Sequence, residues 1–192
     1  MKYLINFFPL ILLVVLGSSC ASKYHLIKPQ LLELPNSPEI LKNGQVKIGL
    51  RYNVLKESGN DRYAKKEKNN KVSLITVIIE NNSTDTLYFP EDLFVMSQKD
   101  TLYILEMEEA YEAIRQDIVE RSTGGRAFGE WLFHLPRAIS NEIVQTKANQ
   151  RFADELDEYY LMPCYVAPGV SMTGLLVLDA KQGTPLKFVF VE

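Results

Sequence analysis

The sequence predicts a mainly β fold: an antiparallel β-sandwich with an inserted helical hairpin, α+β overall. Three observations carry this expectation. The run at residues 72–79 is apolar on both of its alternate faces, the mark of a central strand covered on both sides. Short alternating runs, separated by clusters of Asn, Asp, Gly and Pro, fill the chain from residue 45 to about 105 and again from 160 to 192. Between about residues 106 and 158 the apolar period changes to that of a helix.

The β elements come first. Val72, Leu74, Ile75, Val77, Ile78 and Ile79 are mostly β-branched, which suits a pleated, packed surface. Ile75, Val77 and Ile79 share one face by period two, and Val72, Leu74, Thr76 and Ile78 share the other. Asn81-Asn82-Ser83-Thr84-Asp85 stops the strand, because these short polar side chains bond nearby backbone and tolerate turn geometry. Leu87 and Phe89 resume the alternation until Pro90. Upstream, Val46, Ile48, Leu50, Tyr52 and Val54 predict a strand over residues 45–55. Residues 56–71 are polar and of mixed charge and carry the turn signal Gly59-Asn60-Asp61, so a solvated loop is expected there. Downstream come a strand at 93–97, a turn at 98–100 and a strand at 101–105. The tetrapeptide Asp-Thr-Leu-Tyr occurs at 85–88 and at 100–103, each time leaving a turn and entering a strand.

In the insertion, Met107, Ala110, Tyr111, Ile114 and Ile118 form one helical stripe. Acids gather early and Arg121 sits late, as the helix dipole favours, and Ser122-Thr123-Gly124-Gly125 ends the helix. An apolar, aromatic piece at 128–135 contains Trp131 and is stopped by Pro136. A second helix is expected from residue 137 or 140 to 158, with Ile139, Ile143, Ala148, Phe152, Leu156 and Tyr159 or Tyr160 facing one way. Residues 160–166 read as extended. Residues 168–174 then read as a turn, followed by a strand through Leu178; residues 179–184 turn again, and Leu186, Phe188 and Phe190 alternate as the last strand.

With 192 residues, one domain is the default. The net charge is −3 and no basic patch stands out, which argues against nucleic acid as a partner. The N-terminus decides more. Met1-Lys2 is a short positive region, and residues 3–16 are apolar but too short to span a core of ~30 Å as a helix. Gly17-Ser18-Ser19 follow, so residues 1–19 read as a secretory signal peptide. The run Leu16-Gly17-Ser18-Ser19-Cys20 resembles the lipobox of bacterial lipoproteins, although Gly17 stands where that family usually has a large aliphatic residue. The resemblance implies that Cys20 is lipidated and begins the mature chain. Cys164 is then the free thiol, and no intramolecular disulfide forms. Residues 20–44, with Pro29, Pro35 and Pro38, read as a tether. Within it, His25-Leu26-Ile27 and Leu31-Leu32 are too apolar for a solvated linker and predict a short edge strand or a docked segment. Ala21-Ser22-Lys23 lack the acidic cluster that marks surface export in Bacteroidetes-like lipoproteins. This implies an outer-membrane lipoprotein of the cell envelope that faces the periplasm.

A strand ending in Asn-Asn-Ser (81–83), followed much later by Pro-Gly-x-Ser-x-x-Gly (168–174) and a terminal strand, resembles the Ig-like β-sandwich domains of bacterial cell-envelope lipoproteins. The resemblance covers residues 45 to about 105 and 160–192, and the domain as a whole is expected to run over 45–192 with the insertion at about 106–158. It implies a binding or assembly role and brings no catalytic residues. The Asp-Thr-Leu core also resembles the O-glycosylation acceptor of Bacteroidetes periplasmic proteins, which implies Thr86 and Thr101 as modification sites.

Chemistry is sparse. His25 and His134 are the two histidines, and no nearby Cys, His or Asp run completes a metal site around Glu130 and His134. Glu106, Glu108, Glu109 and Glu112, and Asp154, Glu155, Asp157 and Glu158, read as solvated faces of amphipathic helices rather than paired acids of unequal pKa. Cys164 has no sequence-near His or Lys to activate it, and neither a Gly-x-Ser-x-Gly elbow nor a phosphate loop is present. No enzyme, cofactor or metal is expected. Phe128, Trp131, Leu132, Phe133 and Leu135 are more apolar than a connector needs. They either pack the helices onto the sandwich or form a surface for a partner or membrane. The expected function is a non-catalytic, lipid-anchored periplasmic interaction or assembly protein. It would be held to the membrane through Cys20 and would meet an envelope protein through a surface bearing Tyr111, Phe128, Trp131, Phe133 and Tyr159. The alternative is a lipoprotein binding a small hydrophobic ligand between helices and sheet, in a pocket lined by Trp131, Tyr111 and Tyr159.

Overall fold

Strand β3 (Ser73–Asn81) is buried along nearly its whole length. In the computed structural model, which describes residues 22–31, 39–41, 45–98, 100–117 and 128–190 (without the side chains of 128–141), it lies inside an antiparallel sheet. The sheet order is β1 (Glu39–Leu41), β2 (Val46–Arg51), β3, β8 (Ser171–Leu178). Ile75, Val77 and Ile79 point into one core with Val46, Ile48, Leu176 and Leu178. Val72 and Leu74 point into a second core with Leu175 and Val177. The pairing register explains the sorting, since Leu74 lies opposite Val177 and Ile75 opposite Leu176, and opposed residues share a face. Each side chain of this size stabilises by about 1.5–3 kcal/mol when removed from water.

The first core is closed by shorter strands. β4 (Leu87–Phe89) pairs with β7 (Cys164–Val166), and β5 (Leu93–Ser97) pairs with both β6 (Asp100–Thr101) and β9 (Lys187–Phe190). They contribute Leu87, Phe89, Leu93, Val95, Val166 and Phe188. The second core is closed by four helices: α1 (Val54–Glu57), α2 (Asp61–Asn69), α3 (Met107–Ile114) and α4 (Phe128–Tyr159). The fold is therefore mixed α+β with antiparallel sheets.

Several boundaries differ from the sequence expectation. Residues 56–71 are not a loop: α1 and α2 occupy most of them, and Tyr63 and Glu67 are buried. Their spacing of four places both on one face, but a stripe of one tyrosine and one acid among lysines carries no hydrophobic signal. Such a helix is held by packing rather than propensity. The strand expected over 45–55 ends at Arg51, because Val54 and Leu55 turn into the helical core. Pro136 lies inside α4, a single helix of 32 residues. A proline removes one ladder bond without always ending a helix. The helical layer thus draws on residues 54–69 as well as the expected insertion, and the fold is less dominated by strand than "mainly β" implies.

The two motifs at the end of β3 and the start of β8 are wired together. Asn81 Nδ2 donates to the carbonyls of Asp85 and Val166, each at 2.8 Å. Asn81 Oδ1 accepts from Ser83 N at 3.0 Å and Ser83 Oγ at 2.7 Å. Its backbone meets the Pro168-Gly169 turn: Gly169 N donates to Asn81 O at 2.7 Å and Asn81 N to Val170 O at 3.0 Å. Gly169 has a φ of 74°, which favours glycine. Gly174 serves a different need. A Cβ there would lie 2.3 Å from Leu161 Cγ and 2.4 Å from the Tyr159 carbonyl, where the chain leaving α4 crosses β8. Asn81→Asp replaces two donors facing carbonyls by an acceptor. It should lower stability by about 3 kcal/mol, read as a lower urea midpoint at unchanged slope. A shift under about 0.5 kcal/mol would show that Asn81 does not hold this corner.

Candidate functional site

The helical core is completed by the segment of residues 22–31. Tyr24 and Ile27 are buried in it. The Tyr24 ring meets Tyr63 edge-on at 5.0 Å and Phe152 at 5.4 Å, and Tyr63 meets Phe152 at 5.2 Å. The stripe Ala148, Phe152, Leu156 of α4 supplies the floor. Part of the stretch expected to be a tether is therefore docked, as its apolar triplet at 25–27 suggested.

The docking is fixed by a buried carboxylate. Glu155 Oε2 accepts from Tyr24 Oη at 2.5 Å, and Oε1 from Ile27 N at 2.8 Å and Lys28 N at 2.9 Å. Glu155 is 2% exposed, so it is not part of the solvated acidic face expected from the sequence. Its three donors arrive from a segment more than 120 residues away, as its separations of 131 from Tyr24 and 128 from Ile27 record. Burial first, and the adjoining carboxylate second, hold the Tyr24 phenol well above its ordinary range, so it stays a donor. Asn60 secures the same segment by accepting from His25 N at 2.8 Å and donating to His25 O at 2.7 Å.

A second polar group joins α2, α4 and the chain just after α3. Asn149 Oδ1 accepts from Tyr63 Oη at 3.0 Å and Gln116 N at 2.9 Å, while its Nδ2 donates to Gln116 O at 2.8 Å. Gln116 Nε2 reaches Ser22 O at 3.2 Å. Burial pushes the Tyr63 phenol up to about 12.

Glu67 is the other buried acid. Leu74 N donates to its Oε1 at 2.9 Å, and Gln182 Nε2 approaches Oε2 at 3.4 Å. Burial pushes its carboxyl up to about 7, only partly opposed by the Leu74 bond.

Of the partner surface expected from sequence, Tyr111 and Tyr159 have described side chains. Tyr111 is partly buried at the rim of the helical core. Its ring stacks on Phe152 at 6.1 Å, with the Arg115 guanidinium 5.9 Å above it. Tyr159 is partly buried nearby, its hydroxyl on Glu158 at 2.5 Å. Both belong to the edge of the core. The side chains of Phe128, Trp131 and Phe133, and Cys20 itself, lie outside the described residues. Thr86 and Thr101 are exposed at the starts of β4 and in β6. Cys164 is half-buried, and burial raises its thiol. Among the described residues, no group of three His, Cys, Asp or Glu side chains could hold a metal ion. None of the described helices is long and apolar enough to cross a membrane. An exposed aromatic pair went unnoticed in the sequence: Tyr88 and Tyr165, opposed across β4 and β7, have ring centroids 3.8 Å apart. Comparison with known protein families, curated proteins and solved structures finds no match to this chain.

Each buried carboxylate accepts hydrogen bonds, Glu155 from a phenol and two backbone N–H groups and Glu67 from a backbone N–H and an amide. Two outcomes follow. Glu155→Ala leaves two buried donors, Tyr24 Oη and Ile27 N, and the part-buried Lys28 N unmet and should cost about 3 kcal/mol. Trypsin should then cut after Lys23 at least about tenfold faster than in the wild type, since release of the segment exposes it. Unchanged cleavage would mean that the aromatic contacts hold the segment alone. For Glu67, the folded chain binds its proton more tightly than the unfolded chain. Its stabilising share is complete below the ordinary carboxylate range and is lost as pH rises to about 7, by up to about 1.4 kcal/mol per pH unit. Glu67→Gln should therefore raise the thermal midpoint at pH 8 and leave it nearly unchanged at pH 4. An equal difference at both values would rule out a titrating Glu67.

Proposed function

We propose that this chain is a lipid-anchored, non-catalytic interaction or assembly protein of the cell envelope, held in the outer membrane and facing the periplasm. The observation that carries the reading is the N-terminal sequence: a short positive start, an apolar leader and the run Leu16-Gly17-Ser18-Ser19-Cys20. The finer reading of the α+β fold is an Ig-like sandwich similar to those of Bacteroidetes-like envelope lipoproteins. It is supported by one shared core between the β1-β2-β3-β8 sheet and strands β4, β5, β7 and β9. It is further supported by Asn81, which joins the Asn-Asn-Ser and Pro-Gly segments on which that likeness rests. Exposure of Thr86 and Thr101 leaves both open to glycosylation. An envelope protein is the partner, met on the helical side where Tyr111 and Tyr159 border the core.

The test is fractionation of cells expressing the wild type or Cys20→Ser. The wild type should sediment with membranes and resist a salt wash, whereas Cys20→Ser should move to the soluble fraction. Unchanged partitioning of Cys20→Ser would overturn the anchor.

A further inference from the structure

We propose that the outward face of α2 lies against anionic phospholipid headgroups of the membrane that holds the anchor. The inference rests on the lipidation of Cys20 proposed above. Only Ala21 separates Cys20 from Ser22, and two residues reach about 7 Å at full extension. Ser22 is not on a leash: Gln116 Nε2 lies 3.2 Å from its carbonyl and 3.4 Å from its Oγ. Two residues on, Tyr24 packs on Tyr63 of α2. His25 is bonded through both backbone groups to Asn60, the residue before α2. An anchor at Cys20 thus brings the N-terminal half of α2 to the bilayer surface. Electrostatic attraction there decays over a screening length of about 8 Å at physiological salt, so this short connection decides whether the helix charge is felt.

That charge is positive. Tyr63 and Glu67 turn inward, while Arg62, Lys65 and Lys68 are exposed and Lys71 follows just beyond the helix end. Lys66 is paired with Asp117, and Asp61 is the exposed acid of the helix. Among the described residues, Arg62, Lys65, Lys68 and Lys71 meet no carboxylate. Lys23, also exposed, adds to them beside the anchor. Residues 56–71 carry six basic and three acidic side chains. Folding removes Glu67 from the outer surface and leaves the cations there, on a protein of net charge −3. A basic helix face fixed next to a lipid anchor is the second signal by which an anchored protein fixes its orientation.

The experiment uses the full lipidated protein reconstituted in vesicles of phosphatidylcholine alone or with phosphatidylglycerol, followed by pulse acetylation of lysines. Co-sedimentation with both vesicles reports the anchor separately. On anionic vesicles Lys65 and Lys68 should react about fivefold more slowly than on neutral ones, the factor expected from the attraction of one basic residue to such a surface. Lys187, on β9 beyond the first core, should react equally on both. In K65E/K68E, Lys71 should lose its vesicle dependence. Equal rates for Lys65 and Lys68 on both vesicles, with co-sedimentation intact, would overturn the inference and leave the anchor standing. Protection seen on native membranes but not on protein-free anionic vesicles would assign the helix to an acidic membrane protein, and would equally overturn it. Failure to sediment with either vesicle would instead strike the anchor reading itself.

Discussion

The sheet formed by β2, β3 and β8 must be hidden from water on both faces, and the rest of the molecule answers that requirement. Val77 and Ile79 demand cover on one side, and Leu74 and Val177 demand it on the other. Short strands supply the first cover and helices the second. Neither cover is a free-standing unit. The paired strands β4 and β7 span three residues each, too short to stand without a sheet beneath them. α1 has four residues and α2 nine, short of what an isolated helix needs in water.

Polar side chains fix the positions of these covers where hydrophobic contact alone would let them slide. Glu155, Asn149 and Asn60 each bind backbone groups of distant segments. Asn81 does the same at the opposite end of the sheet. Burial makes such contacts demanding, because a buried donor left unmet is expensive. It also makes them selective, since one arrangement satisfies them all.

How much of this could be read from the residues follows from where their signals lie. β3 was legible, including which residues face which way, because six β-branched or leucine side chains alternate without interruption. β9 was legible to within a residue for the same reason, as was the end of β8, whereas the first half of β8, residues 171–174, reads as turn because Ser171, Thr173 and Gly174 break the apolar run. α2 was not, since its buried face is one tyrosine and one glutamate, and the fold alone turns them inward. Glu155 was misread as solvent-facing because its neighbours Asp154, Asp157 and Glu158 are exposed, and only its contact with Tyr24 reveals the difference. The expected surface was legible as an aromatic concentration, but Tyr111 and Tyr159 border a core. The hydrophobic pattern alone does not distinguish a rim from an interface.

The insertion of Tyr24 beneath α4 has a bearing on how the chain is made. Synthesis delivers the N-terminus first, yet Tyr24 finds its partner 131 residues later, at Glu155. The segment around Tyr24 therefore waits until Glu155 has been made before the helical side can close. During that interval Phe152 and Tyr63 lack one ring of their trio. Assembly of this half of the protein is a late, long-range closure that no local turn brings about.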